Sequence, residues 1–505
     1  MRQSTLNNAA RAGSLCGMMA IVTDIDPASA RALAESLRQV YSAVAESIGA
    51  DNAASPLITQ VTEHLGCPLS DVVVVEERYR FYEHAALQIA TDLYLDRHSP
   101  GARWFGIVGG ERRWESIINM LLAAMRDGSR LLGRPDYGTA AVGPEATIEV
   151  VQLGLVATVA PDGTPVVLAL SEREDHEPHT LLTVLTAERG TATAVREEID
   201  RLKREHDPLR GQVLSFGFSE HRDNELLTFL PRPELAAEEV VLPEGRLEAI
   251  EEHIVGIAEL ADRLTAAGQH LRRGLLLYGP PGTGKTHTTR YLIGRLHEHT
   301  AVLITGPAMR RIDYAVALAR TLQPSLVVIE DVDLIAEDRG HHETSPLLFS
   351  LLDAMDGIGG DADVTFVLTT NRVEALERAL VQRPGRVDLA VEVPRPDAAA
   401  RERLVRLYAR DQRIDADTGK VVAATEGVTA SFVKELMRRV ILIALRAGAP
   451  ALTDEHFDTA LRAMAGDDQS LTRALLGSQE GSRDGVIPAD PKDTRTPARL
   501  SPPAC

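Results

Sequence analysis

The chain has 505 residues, more than one hydrophobic core organises, so two or three domains with tails are expected. With 44% hydrophobic and 25% charged residues it has the composition of an ordinary globular protein, which excludes a fibre or a wholly disordered chain. A formal net charge of -19 excludes a broad electrostatic grip on nucleic acid, because that grip needs clustered Lys and Arg.

The first 24 residues hold a weakly apolar stretch, 15–22, that is followed at once by Asp24 and Asp26, a poor match to a signal peptide. No later run approaches the roughly 20 apolar residues of a membrane span. Cys16, Cys67 and Cys505 are widely spaced and odd in number, which fits neither a disulfide framework nor a zinc knuckle. A cytoplasmic protein without a membrane span is the expectation.

Over 28–48, Leu33, Leu37, Val40 and Val44 recur at three- and four-residue spacing and predict an amphipathic helix. Further helices are expected over 77–95 and 114–127, which makes residues 1–135 a mostly helical region, with 133–143 read as a linker. Residues 147–160 are rich in β-branched side chains and lead through the turn Pro161-Asp162-Gly163-Thr164 into 165–170, predicting a β-hairpin. A strand over 181–186, a helix over 193–206 and strands over 213–218 and 226–230 complete an α+β domain spanning 140–243.

From about 245 strands alternate with helices, the pattern of a parallel sheet covered by helices, with buried strands expected at 275–278, 302–305, 326–329 and 365–369. This α/β part runs over 245–396. Helices over 398–410, 431–447 and 454–465 then form a helical unit spanning 397–465. Residues 466–505 have few apolar side chains and are expected to be a disordered tail.

Gly279, Pro280, Pro281, Gly282, Thr283, Gly284, Lys285 and Thr286 satisfy the phosphate-loop pattern between a predicted strand and a predicted helix, and His287 follows directly. Glycines let backbone N–H groups curl around phosphates, Lys285 reaches the terminal phosphates of ATP, and the Thr286 hydroxyl is placed for Mg2+. About forty residues on, a strand delivers Glu330 and Asp331 at its C-terminal end, where open α/β sheets bind ligands. One acid is expected to hold magnesium and the other to polarise the attacking water.

On these residues the stretch 245–465 resembles the AAA ATPase family, as a single-domain member: a P-loop NTPase sheet with flanking helices and a small helical lid, preceded here by an α+β region. Within the resemblance GPPGTGKT at 279–286 is the Walker A loop, LVVIEDVD at 326–333 the Walker B strand, and Asn371 the sensor-1 residue. ALVQRPGRVD at 379–388 is similar to the arginine-finger segment, giving Arg383 and Arg386. Two departures stand out. Glu precedes Asp in Walker B, where the family usually has Asp then Glu, which leaves open which acid is the base. The loop GPAMRRIDYA lacks the aromatic-glycine pair by which unfoldases grip a chain, which resembles a branch with a short pore segment.

The resemblance implies a Mg2+-dependent ATPase, assembled as a homo-hexamer, in which residues before 245 recruit a protein client that the ring remodels. No His-Glu-x-x-His protease motif occurs in the sequence. A nucleotide-dependent switch or scaffold is the rival reading, and a nucleic-acid remodeller is disfavoured by the acidic charge. Outside the motor, Trp104, Phe105 and Trp114 around Gly109-Gly110 read as core aromatics rather than a binding surface, and His341-His342-Glu343 as a solvated loop.

Overall fold

The computed structural model describes residues 30–40, 42–43, 55–109, 112, 115–173, 178–217, 227–333, 355, 362–373 and 387–465. The chain divides into two compact units, one formed by residues up to 214 with 221–230, the other by 215–220 and 231 onward. Among the described residues no helix is long and apolar enough to cross a membrane.

In the first unit five antiparallel strands lie in the order Val73–Arg80, His179–Thr186, Pro165–Arg173, Thr147–Val159, Asp136–Ala141. Successive side chains point to opposite faces of a strand, and both faces are covered. Val156, Leu168 and Val184 pack with Leu87 and Tyr94 of helix His84–His98 and Val195 and Ile199 of helix Thr191–Glu205. Their neighbours Leu155, Val167 and Leu185 pack on the other face with Leu57 and Val61 of helix Pro56–Leu65 and Ile117 and Leu121 of helix Ile117–Asp127. Each such side chain contributes about 1.5–3 kcal/mol on burial. Ser55 and Ser116 cap the latter two helices at their starts, and Gly66 and Gly128 end them in the left-handed conformation.

Two expectations need correction. The helix read over 77–95 begins at His84; the residues before it form the edge strand Val73–Arg80. Tyr79, 4% exposed, faces the core there and donates its hydroxyl to Asp200 at 2.8 Å, while Glu76, Arg78 and Arg80 face outward. The linker read over 133–143 contains a second edge strand, Asp136–Ala141. Of the helix read over 28–48, residues 30–40 and 42–43 are described as helical, with Leu33, Leu37 and Val40 exposed. Trp104 and Phe105 pack into the two core layers as read; Gly110, Trp114, the 341–343 cluster and the 466–505 tail lie outside the described residues.

In the second unit parallel strands are neighbours in the order Leu389–Glu392, Arg273–Tyr278, Val364–Thr370, Ser325–Ile329, Thr300–Ile304. Ser325–Ile329 and Val364–Thr370 are buried along their whole lengths, as strands covered on both faces are. Tyr278 lies opposite Thr370 and Ile329 opposite Leu368, so the three chain segments that follow leave the same end of the sheet side by side. Helices Ala398–Ala409, Thr418–Ala424, Ala430–Arg446 and Asp454–Ala465 then share a core that includes Leu404, Val405, Phe432, Leu436, Val440 and Phe457.

Candidate nucleotide site

The loop after Arg273–Tyr278 turns on three glycines with positive φ, Gly279, Gly282 and Gly284. Gly279 is required twice over: its φ is 142°, and a Cβ there would sit 2.3 Å from the Val393 carbonyl oxygen. Helix Lys285–Arg295 starts at the end of the loop, so its free N–H groups and positive dipole end face the place where phosphates would lie. Thr286 is exposed in that first turn, and Thr283 is buried with its hydroxyl donating to the Pro280 carbonyl at 2.9 Å.

Lys285 is 6% exposed, and its ammonium donates to the Gly279 and Pro280 carbonyls at 2.7 and 2.9 Å and to Asn371 Oδ1 at 2.8 Å. Burial lowers its pKa, while the charges of Asp331 and Asp333 act in the opposite sense. The Asn371 amide donates in turn to Asp331 Oδ1 at 3.0 Å. Lys285, Asn371 and Asp331 therefore form one hydrogen-bonded series across three neighbouring strand ends. Asp331 sits in the left-handed region at φ 52°, unusual for a residue with a side chain and a conformation found at functional sites. Its N–H is held by the Thr369 hydroxyl at 3.0 Å. Glu330, half-buried beside it, has its N–H bonded to the Ile304 carbonyl at 3.3 Å.

His287 donates from its ring to the Glu239 carbonyl at 3.1 Å, which ties the segment before the sheet to helix Lys285–Arg295. From the helical unit 397–465, Ser431 N–H donates to the Gly282 carbonyl at 3.0 Å, and the Gly427 carbonyl accepts from Arg395 at 2.8 Å. This unit and the loop are thus directly bonded. Arg383 and Arg386 lie outside the described residues.

Sequence reading missed Asp333. It is 6% exposed, and its Oδ1 accepts from both the Thr370 hydroxyl at 3.0 Å and the Asn371 N–H at 3.1 Å, fixing the backbone that presents Asn371. The available signal was a third acid two residues after the pair, in LVVIEDVD. Among the described residues no group of three or more His, Cys, Asp or Glu is placed to cage a metal. The oxygens on offer, from Thr286, Glu330 and Asp331, suit magnesium, which keeps waters and takes further oxygens from phosphates.

A family model described as "ATPase family associated with various cellular activities (AAA)" matches residues 275–395. ATP-dependent zinc metalloprotease FtsH 2 of Symbiobacterium thermophilum is 34% identical over 233 residues, 43% of this chain and 40% of that protein. FtsH 3 of Sphaerobacter thermophilus is 31% identical, over 49% of this chain and 53% of its own length. The chloroplastic FTSH 5 of Arabidopsis thaliana is 31% identical, over 43% of this chain and 33% of its own. The chain thus spans between about a third and a half of the length of these relatives. Motif, geometry and family match coincide on the same strand ends: the second unit contains an AAA-type ATPase domain.

Proposed function

We propose that this chain is a cytoplasmic, Mg2+-dependent ATPase that works as a homo-hexameric ring and uses hydrolysis to remodel or unfold protein clients recruited by the region before residue 245. The observation that carries the hydrolytic part is the series Lys285, Asn371, Asp331, which gathers a cation, an amide and a carboxylate at the mouth of the phosphate loop. Bound magnesium and ATP supply the phosphoryl group and part of the charge neutralisation. Lys285 would exchange its carbonyl partners for phosphate oxygens, Asn371 would hold Asp331 and the attacking water in one plane of approach, and Asp331 would accept that water's proton. Thr286 and Glu330 would hold the ion. The Ser431–Gly282 hydrogen bond supports a lid that moves with the loop.

The client class is supported by similarity to ATP-dependent metalloproteases, enzymes whose substrates are proteins. Arg383 and Arg386 are proposed to reach the nucleotide of a neighbouring subunit. The test is phosphate release with and without a folded fluorescent protein carrying an unstructured tail: hydrolysis-dependent loss of its fluorescence supports remodelling. Steady turnover that leaves every such client folded counts against it. A second reading, an ATP-dependent switch that assembles a complex, is favoured by the shorter acid Asp331 already engaged by Asn371; nucleotide binding with no turnover would select it.

A further inference from the structure

The sheet of the first unit has two edges, and they are built differently. Val73–Arg80 ends one side and carries Glu76, Glu77, Arg78 and Arg80. Glu77 is ion-paired with Arg196 at 3.1 Å, and Arg78 bonds the His179 ring at 2.9 Å. Charge on an edge strand discourages further pairing. Asp136–Ala141 ends the other side with the sequence Asp-Tyr-Gly-Thr-Ala-Ala, whose single charge, Asp136, is paired with Arg112 at 2.8 Å.

The backbone of this second edge has a definite orientation. Val142 N–H donates to the Ala146 carbonyl at 2.9 Å, making 142 and 146 a hydrogen-bonded pair at the hairpin end. The register continues as Ala141 with Thr147, Ala140 with Ile148, Thr139 with Glu149, Gly138 with Val150 and Tyr137 with Val151. Bonded and non-bonded pairs alternate in an antiparallel ladder, so Gly138 and Ala140 bond inward, whereas the N–H and C=O groups of Tyr137, Thr139 and Ala141 point away from the sheet. Among the described residues no further strand follows on that side. One large hydrophobic side chain on this strand, Tyr137, stands 52% exposed.

We propose that Asp136–Ala141 captures an extended segment of a client polypeptide, which adds to the sheet as a further strand. Main-chain groups at Tyr137, Thr139 and Ala141 supply sequence-tolerant hydrogen bonds, and the exposed Tyr137 ring favours an apolar neighbour. Uncharged residues 137–141 impose no sign on the partner. The occupant is a client rather than a second copy, because antiparallel self-pairing of one strand uses the same surface twice about a two-fold axis. Neighbours in a head-to-tail ring meet through two different surfaces. The proposal rests on the client-remodelling reading above.

The test uses the full chain and reduced, carbamidomethylated α-lactalbumin, a permanently unfolded protein, labelled with fluorescein. Binding is read by anisotropy without nucleotide, and amide exchange locates it. Thr139→Pro removes an outward N–H without touching an inward ladder bond, a change edge strands tolerate; Thr139→Lys keeps the N–H and adds the charge that the other edge carries. Wild type should bind, with slowed exchange over 136–141, and both variants should bind at least tenfold more weakly with unchanged melting and basal phosphate release. Equal binding by wild type and Thr139→Lys, protection confined to other segments, or no binding by wild type would overturn the proposal. So would variants that alter the mass by light scattering while still binding the probe, which would make the edge a contact between copies. Binding at the edge that fails to stimulate phosphate release would leave the capture site standing and count against remodelling alone.

Discussion

Replacing Asp333 separates two consequences of one side chain. In Asp333→Ala the Thr370 hydroxyl and the Asn371 N–H, which it accepts at 3.0 and 3.1 Å, both lose their partner in a site where Asp333 is 6% exposed. Each unsatisfied buried donor costs about 1–3 kcal/mol, so the second unit should lose about 3 kcal/mol. Asp333→Asn keeps an oxygen in the same place and forfeits only the charge-assisted part of two hydrogen bonds, about 1 kcal/mol. The difference of about 2 kcal/mol is roughly thirtyfold in the folding equilibrium. Both tryptophans, Trp104 and Trp114, fall in the first unit, so fluorescence follows that unit during urea unfolding, while circular dichroism follows both. The expected result is a dichroism transition at lower urea for Asp333→Ala than for Asp333→Asn, with fluorescence unchanged. Equal midpoints for the two variants would refute the reasoning, since the acceptor geometry would then contribute nothing.

Asn371→Ala removes the hydrogen bond that holds the Asp331 carboxylate, worth about 1.5–3 kcal/mol, and should lower kcat about ten- to a hundredfold with KM little changed; a kcat within threefold of wild type counts against that role. Gly279→Ala puts a methyl group 2.3 Å from the Val393 carbonyl and should abolish nucleotide binding, read with a fluorescent ATP analogue, while leaving tryptophan emission of the first unit intact. Glu435 lies between Arg438 and Arg439, whose hydrogen bonds and charges hold its pKa down to about 2 from an ordinary 4.5. A depressed carboxyl pKa stabilises the fold above about 4.5, and that stabilisation fades as pH falls towards about 2. Glu435→Gln should therefore be slightly less stable than wild type at pH 7, by less than about 1 kcal/mol because Arg438 is exposed and screened by solvent, and indistinguishable from it near pH 2.

Legibility in the sequence followed the range of the interactions. The phosphate loop was readable because its glycines, lysine and threonine answer to local backbone geometry and occupy fixed offsets. Glu330, Asp331 and Asn371 were readable because each ends a buried apolar strand, and the structure brings Asp331, Asn371 and Lys285 into one bonded series. Asp333 was not, because its role depends on Thr370 and Asn371, nearly forty residues away, and nothing local marks an acid as an acceptor rather than a solvated side chain. The two misread strands are both edges. Val73–Arg80 contains Glu76, Glu77 and Arg78, which also suit a helix, and only pairing with His179–Thr186 and burial of Tyr79 select the extended form. Asp136–Ala141 has the glycine and small residues of a linker and is held by pairing on one side alone.

The most direct test of the motor is Mg2+-dependent phosphate release measured against protein concentration, with mass followed by light scattering, for wild type and Asp331→Asn. The account predicts that wild-type turnover rises as hexamers form and that Asp331→Asn binds nucleotide yet releases phosphate at least a hundredfold more slowly. Undiminished turnover in Asp331→Asn, or full turnover by a dilute monomer, would contradict it.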